Sequence, residues 1–248
     1  MRALKFELSG KTAFFKQPDV NTYCYYTYNC IHKIALLGIF GAILGYKGYN
    51  QQKKEDLFPE FYHQLIDFKI AICPLNANGY IPKKVQTFNN SVGYASKEEG
   101  GNLIVKEQWL ENPKWNIVFL IENAVSEELA ERLLQRRFVF IPYLGKNDPY
   151  ALIENVIITE TEPIDLEEKL KVSSLFPKKK GSIVENKGTR AIRLKSEVEW
   201  KYEERLPVEL DEVCNQYRTE TMVFTNKMVL LEKNLDAYKI EDQNLFFI

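Results

Sequence analysis

Apolar and polar side chains alternate from Ala3 to Leu8, with Leu4, Phe6 and Leu8 on one side and Lys5 and Glu7 on the other. That period of two predicts a half-buried strand, ended by Ser9-Gly10-Lys11-Thr12. Gln17-Pro18-Asp19 is turn chemistry. Ile34 to Tyr46 is almost wholly apolar, with His32 and Lys33 before it and Lys47 after it. At about thirteen residues it falls short of the roughly twenty that a membrane span takes, so it predicts a buried helix from about Ile31 to Leu44. Gly38 and Gly41 inside it each cost about 1 kcal/mol relative to Ala, which makes sense if another backbone packs close. Gly45 and Gly48 suit its end.

Further on, Glu60 to Gln64 predicts a short helix and Leu65 to Ile72 a second strand. Residues 76–102 are rich in Asn, Gly and Ser, too polar for core and too long for an ordinary connection, which predicts an excursion such as a protruding hairpin. Leu103 to Leu110 and Trp115 to Ile121 read as strands split by the turn Glu111-Asn112-Pro113. Ser126, with Glu127 and Glu128, predicts the cap of a helix running to Arg136-Arg137. Phe138 to Ile141 and Ala151 to Thr159 are strand-like. After Pro163 come short runs at Gly181–Val184, Ala191–Leu194, Val198–Tyr202, Met222–Thr225 and Met228–Leu231, with at most a turn near Asp165 to Lys171.

The expected fold is therefore α+β. A ferredoxin-like or RNA-recognition-motif-like domain spans 1–160, with a β-hairpin thumb over about 76–107, and a small, mostly antiparallel β region follows over 161–248.

Composition narrows the function classes. An apolar share of 45% with fifteen Phe and fourteen Tyr excludes a disordered chain. The net charge is −1, so affinity for nucleic acid has to be local. Residues 1–50 carry +4 and the remainder −5, so the first fifty residues are the place to look. Cys24, Cys30, Cys73 and Cys214 form no Cys-x-x-Cys pair and only two histidines exist, which argues against structural zinc and for free thiols in the cytoplasm. Met1 to Glu7 lacks an apolar run of signal-peptide length, so neither membrane nor export is expected.

The richest chemistry lies between Lys11 and Lys33. Phe14, Phe15, Tyr23, Tyr25, Tyr26 and Tyr28 could stack on unpaired bases, and Lys11, Lys16 and Lys33 could pair with phosphates. His32 and Lys33 stand at a helix entrance, where free amides and the dipole favour an anion. The same residues could equally be core aromatics and a capped helix. Tyr26, His32 and Lys33 also supply the types needed for metal-free RNA cleavage: a base, an acid and a cation. Lys178-Lys179-Lys180-Gly181 could touch a phosphate backbone or form an exposed turn. No phosphate loop, dinucleotide fingerprint, zinc-protease or serine-hydrolase motif is present.

Three stretches together resemble the Cas five family of CRISPR-associated proteins. They are Phe6 to Lys16, Thr27-Tyr28-Asn29 leading into Ile31-His32-Lys33, and Ala35 to Gly45. Leu110 to Trp115 and Tyr143-Leu144-Gly145-Lys146-Asn147 look like later landmarks in the expected order, so the resemblance covers most of residues 1–160. The His32-Lys33 version looks like the type I-B branch. The resemblance implies a non-catalytic subunit of the Cascade surveillance complex that holds the 5′ handle of the CRISPR RNA at the foot of the complex. It implies contacts with the backbone subunit and the large subunit, target DNA nearby, and no cofactor or metal. The implied RNA contacts are Lys11, Phe15, Lys16, Tyr23, Tyr26, Asn29, His32, Lys33, Lys84, Asn89 and Lys146. The alternatives are a metal-independent repeat endonuclease and a purely architectural subunit.

Overall fold

The computed structural model describes residues 1–19, 23–184 and 198–248. The fold is α+β, with mostly antiparallel sheets and few helices. The first half runs β1 (Arg2–Ser9), β2 (Thr12–Ala13), α1 (Lys33–Leu44), α2 (Glu60–Leu65), β3 (Ile70–Pro74), β4 (Lys83–Asn89), β5 (Ile104–Glu111), β6 (Lys114–Leu120), α3 (Ala124–Gln135) and β7 (Leu152–Glu160). A four-stranded sheet has the order β3-β6-β1-β7, and every neighbouring pair is antiparallel. β4 and β5 pair from Lys83↔Leu110 to Asn89↔Ile104, and β2 lies along the other edge of β5.

Both faces of the four-stranded sheet are covered. Leu4, Phe6, Leu8, Ile72, Trp115, Ile117 and Phe119 face the main core with α1 and α3. Ala3, Ala71, Cys73, Val118 and Leu120 face Ile240, Leu245 and Phe247 from the chain's end. A strand buried on both faces reads as a continuous apolar run rather than an alternation. This explains why the second strand is Ile70–Pro74, every residue of it buried, and not Leu65–Ile72. Leu65 and the residues before it belong to α2.

α1 has apolar residues on all sides, and Leu36, Leu37, Phe40 and Ile43 have no exposure. Fully burying such a side chain contributes roughly 1.5–3 kcal/mol. Its N-cap is His32, whose Nδ1 accepts from the Ala35 N–H at 3.2 Å. Its C-cap is Gly45 at φ +88°, whose N–H donates to the Gly41 carbonyl at 2.8 Å. A Cβ on Gly41 would stand 2.5 Å from Phe61 Cβ, so the absence of a side chain there lets α2 cross close. A Cβ on Gly38 would meet nothing within 4 Å.

Two expected elements differ. α3 is capped by Asn123 rather than Ser126. The Asn123 side chain accepts from the Ser126 N–H at 2.9 Å, and Ser126 Oγ accepts from the Asn123 N–H at 3.0 Å, a reciprocal capping box. Phe138–Ile141 is not a strand. The Val139 and Phe140 amides donate to the Ile43 and Ala42 carbonyls, both at 3.1 Å, and so satisfy free carbonyls at the end of α1.

Beyond β7 the chain forms short strands: β8 (Glu162–Pro163), β9 (Leu170–Lys171), β10 (Phe176–Pro177), β11 (Gly181–Ile183), β12 (Lys201–Leu210), β13 (Tyr217–Thr225), β14 (Met228–Leu231), β15 (Ala237–Ile240) and β16 (Gln243–Phe246). They assemble as β10-β13-β12, β11-β14-β9 and β16-β15-β8, with antiparallel neighbours. The expected run Ala191–Leu194 lies outside the described residues, and of Val198–Tyr202 only the last two residues are strand. Leu206 and Leu210 of β12 and Met222 of β13 join the same apolar cluster as Leu4 and Phe40.

The two helix glycines give opposite expectations. Gly38→Ala should raise stability by up to about 1 kcal/mol, the helix-propensity difference. Gly41→Ala should lower it by about 1–3 kcal/mol, because the new methyl overpacks against Phe61. Urea unfolding of both variants checks the pair, and equal effects would refute the close α1–α2 approach.

Candidate nucleic-acid interface

After β2 the chain makes an arm that returns along the hairpin. Lys16 and Thr27 face each other in an isolated bridge, and the Phe15 N–H donates to Thr27 Oγ1 at 2.9 Å. The returning limb is fixed to β5, because the Tyr25 N–H donates to the Lys106 carbonyl and the Gln108 N–H to the Tyr25 carbonyl, both at 2.9 Å. This backbone docking decides which side chains face out. Lys11 and Lys16 are exposed, Tyr23 is 90% exposed and Tyr26 41%. The Lys16 ammonium sits 4.0 Å over the Tyr25 ring. Among the described residues neither Lys11 nor Lys16 has a carboxylate partner, so both charges remain available to an anion.

The remaining candidates divide by burial. Phe15, Asn29 and His32 were expected to touch RNA, but all three are buried. Phe15 packs against His32 and Trp115. The Asn29 backbone N–H donates to both carboxylate oxygens of Glu204, at 2.9 and 3.1 Å, and the Tyr202 hydroxyl donates to the same carboxylate. Burial raises the pKa of Glu204. The Glu204 carboxylate therefore ties the approach to α1 onto β12. Asn29 Oδ1 is buried without a partner.

His32 sits edge-on to Phe15, Tyr28 and Tyr217 at ring distances of 6.0, 5.4 and 5.3 Å. Burial lowers its pKa to about 3, so it is neutral at physiological pH. With Nδ1 accepting from Ala35, the proton resides on Nε2. In this arrangement neither nitrogen has a free lone pair, and the imidazole cannot serve as a base beside Tyr26 and Lys33 without losing its cap. Burial also lowers the Lys33 pKa, opposed by Glu209 and Asp67.

The hairpin candidates are engaged with protein. Lys84 pairs with Glu111 at 3.5 Å. Asn89 donates to Asn102 Oδ1 at 3.2 Å and accepts from the Ser91 N–H at 2.9 Å. The Lys146 ammonium lies 3.1 Å from the buried Glu107 and over the Phe88 and Trp109 rings at 4.8 and 5.7 Å. It braces the segment after α3 against the hairpin. The lysine run is paired out as well: Lys178 with Glu203, Lys179 with Glu220 and Lys180 with Glu232. Each ammonium of the run therefore has a carboxylate neighbour that the sequence order does not reveal. Among the described residues no group of three or more His, Cys, Asp or Glu is placed to hold a metal ion, and no helix is long and apolar enough to cross a membrane.

No family model matches the chain, and no curated protein matches it. Among solved structures, one chain described as "CRISPR RNA-guided surveillance complex" is 10% identical with a TM-score of 0.54, over 91% of this chain and 90% of that one. This chain shares that fold. A CRISPR protein from Archaeoglobus fulgidus (9% identity, 99% and 98% covered, TM-score 0.49) and a chain of a type III-B Cmr-beta complex bound to cognate target RNA (10% identity, 92% and 86% covered, TM-score 0.49) are more distant in shape.

The buried cap of this fold has a pH signature. His32 titrates near 6.5 when unfolded and about 3 when folded. Below pH 6.5 only the unfolded chain gains that proton. Stability present above pH 6.5 is therefore lost as pH falls, by up to about 1.4 kcal/mol per pH unit from this group. His32→Asn keeps a good N-cap and removes the titration. Urea unfolding between pH 7 and about 4.5 should give a shallower slope for the variant, and parallel slopes would contradict a neutral, buried His32.

Proposed function

We propose that this chain is a guide-RNA-gripping subunit of a type I CRISPR surveillance complex, of the type I-B Cas five kind, acting in the cytoplasm. The observation that carries the reading is the arm between β2 and α1. It presents Lys16 and two exposed tyrosines on a backbone held against β5, with Lys11 exposed just ahead of β2 and neither lysine ion-paired among the described residues. Aromatic faces with neighbouring cations are the equipment for single-stranded nucleic acid. The β-α-β-β-α-β order with strands β3-β6-β1-β7 is compatible with a ferredoxin-like domain, which supports an RNA-binding role. The neighbour with a TM-score of 0.54 is described as part of an RNA-guided complex, which supports it further.

In this reading the arm holds the 5′ handle of the CRISPR RNA and the subunit caps the foot of the complex. The β4–β5 hairpin is the thumb. Val92, Tyr94, Leu103 and Ile104 at its outer end are exposed apolar side chains suited to a backbone-subunit neighbour. The large subunit and target DNA lie close by. In this reading the subunit is a binding module, and His32 serves as the α1 cap rather than as a base for cleavage.

Binding of labelled handle RNA tests the grip. Lys11→Ala/Lys16→Ala should weaken binding on the order of tenfold at low salt and reduce the log–log salt slope by about 1.4, two phosphates at about 0.7 each. Unchanged affinity with unchanged slope would sink the placement. Repeat RNA incubated in chelator with excess protein should stay intact, and cleavage would install the endonuclease reading instead.

A further inference from the structure

One side of α1 is uncovered. Ala35, Gly38 and Ala42 form the floor of a cavity of about 740 Å³. This volume lies within the range of small-ligand sites. Tyr46, Tyr49, Phe140, Ile141 and Tyr143 also line it. Phe140 and Ile141 are 58% and 72% exposed, a large apolar surface left in water. A floor of small residues admits a flat ring, and aromatic walls offer it stacking partners.

Two polar features point to what enters. His32 lines the groove and is only 3% exposed. Its Nδ1 is occupied by the Ala35 N–H, which leaves Nε2–H as the donor it can offer to an occupant of the groove. Lys16, the unpaired cation of the arm, also lines the groove.

We infer that the α1 groove takes one unpaired nucleobase of the bound RNA, with a carbonyl oxygen or ring nitrogen of the base accepting from His32 Nε2–H and the attached phosphate meeting Lys16. The inference rests on the RNA-gripping reading above and adds the base-recognition pocket to it. A peptide would also find the walls apolar, but it would leave the match between a flat floor, a single donor and an adjacent cation unused.

The test compares labelled single-stranded RNAs of about ten nucleotides, each of one base type, with an abasic ribose-phosphate chain of equal length. Wild-type protein should bind at least one base-bearing RNA on the order of tenfold tighter than the abasic chain. Gly38→Leu should fill the groove and bring the two within about twofold, while its melting temperature stays equal or rises. Gly38→Ala, which adds only a methyl in open space, should give an intermediate loss and serves if the larger variant misfolds. His32→Asn should narrow the difference without removing it. Equal wild-type affinity for base-bearing and abasic chains would overturn the pocket and leave the grip standing, as would a preference that survives Gly38→Leu. No binding of any chain by the wild type would remove the RNA reading and the pocket together.

Discussion

α1 has no polar face, and an apolar helix in water has to be covered on every side. The rest of the first half supplies the covers. Leu4, Phe6 and Phe119 of the sheet take one side, α2 takes another at the contact between Gly41 and Phe61, and Val139 and Phe140 close the carbonyl end. His32 closes the amide end, at the expense of a buried imidazole. Only the stripe through Ala35, Gly38 and Ala42 stays open, and its small residues keep the exposed apolar area there low. The open side is where the arm, the cap and the segment after α3 meet. The position of the groove is therefore a consequence of how the helix is buried.

The second constraint is the carboxylate of Glu204. A buried, partly desolvated charge persists only with donors around it. Asn29 N–H and the Tyr202 hydroxyl are those donors, and Lys83 opposes the upward shift of its pKa. Because Glu204 lies on β12 and Asn29 just before α1, the chain's second half fixes the entrance of the helix. The shared apolar cluster of Phe40, Leu206 and Met222 does the same by packing. The arm is held between two anchors, Glu204 at its end and β5 along its return.

Legibility in the sequence followed the local signals. The strand at 2–9 and the helix through Leu44 were readable because one has a period of two and the other a long apolar run closed by Gly45. The turn at Glu111-Asn112-Pro113 was readable because Asn112 takes a positive φ of 47°. What failed depended on partners far along the chain. β3 loses its alternation because β15 and β16 cover its second face. Those two strands were not anticipated, although Ala237-Tyr238-Lys239-Ile240 alternates. Phe138–Ile141 looks like a strand because its composition suits one, yet its amides answer to the end of α1. At the site, Tyr23, Tyr26, Lys11 and Lys16 were readable as surface chemistry. Glu204, Tyr217 and Phe140 were not, since nothing near them in sequence announces α1.

Charge gives the sharpest separation between reading a sequence and reading a fold. With a net charge of −1, a run such as Lys178-Lys179-Lys180 reads either as a phosphate contact or as an exposed turn. Folding places Glu203, Glu220 and Glu232 beside those three ammonium groups, and their field is largely cancelled. Lys84 and Lys146 are spent on Glu111 and Glu107 in the same way. Lys11 and Lys16 stand apart in sequence, on either side of β2, and neither has a carboxylate partner among the described residues. Counterion release rewards each phosphate newly neutralised, so a lysine already paired with a carboxylate offers an incoming strand little. The useful count is of unpaired cations next to exposed rings, and by that count the stretch before α1 outranks the denser run at Lys178-Lys179-Lys180.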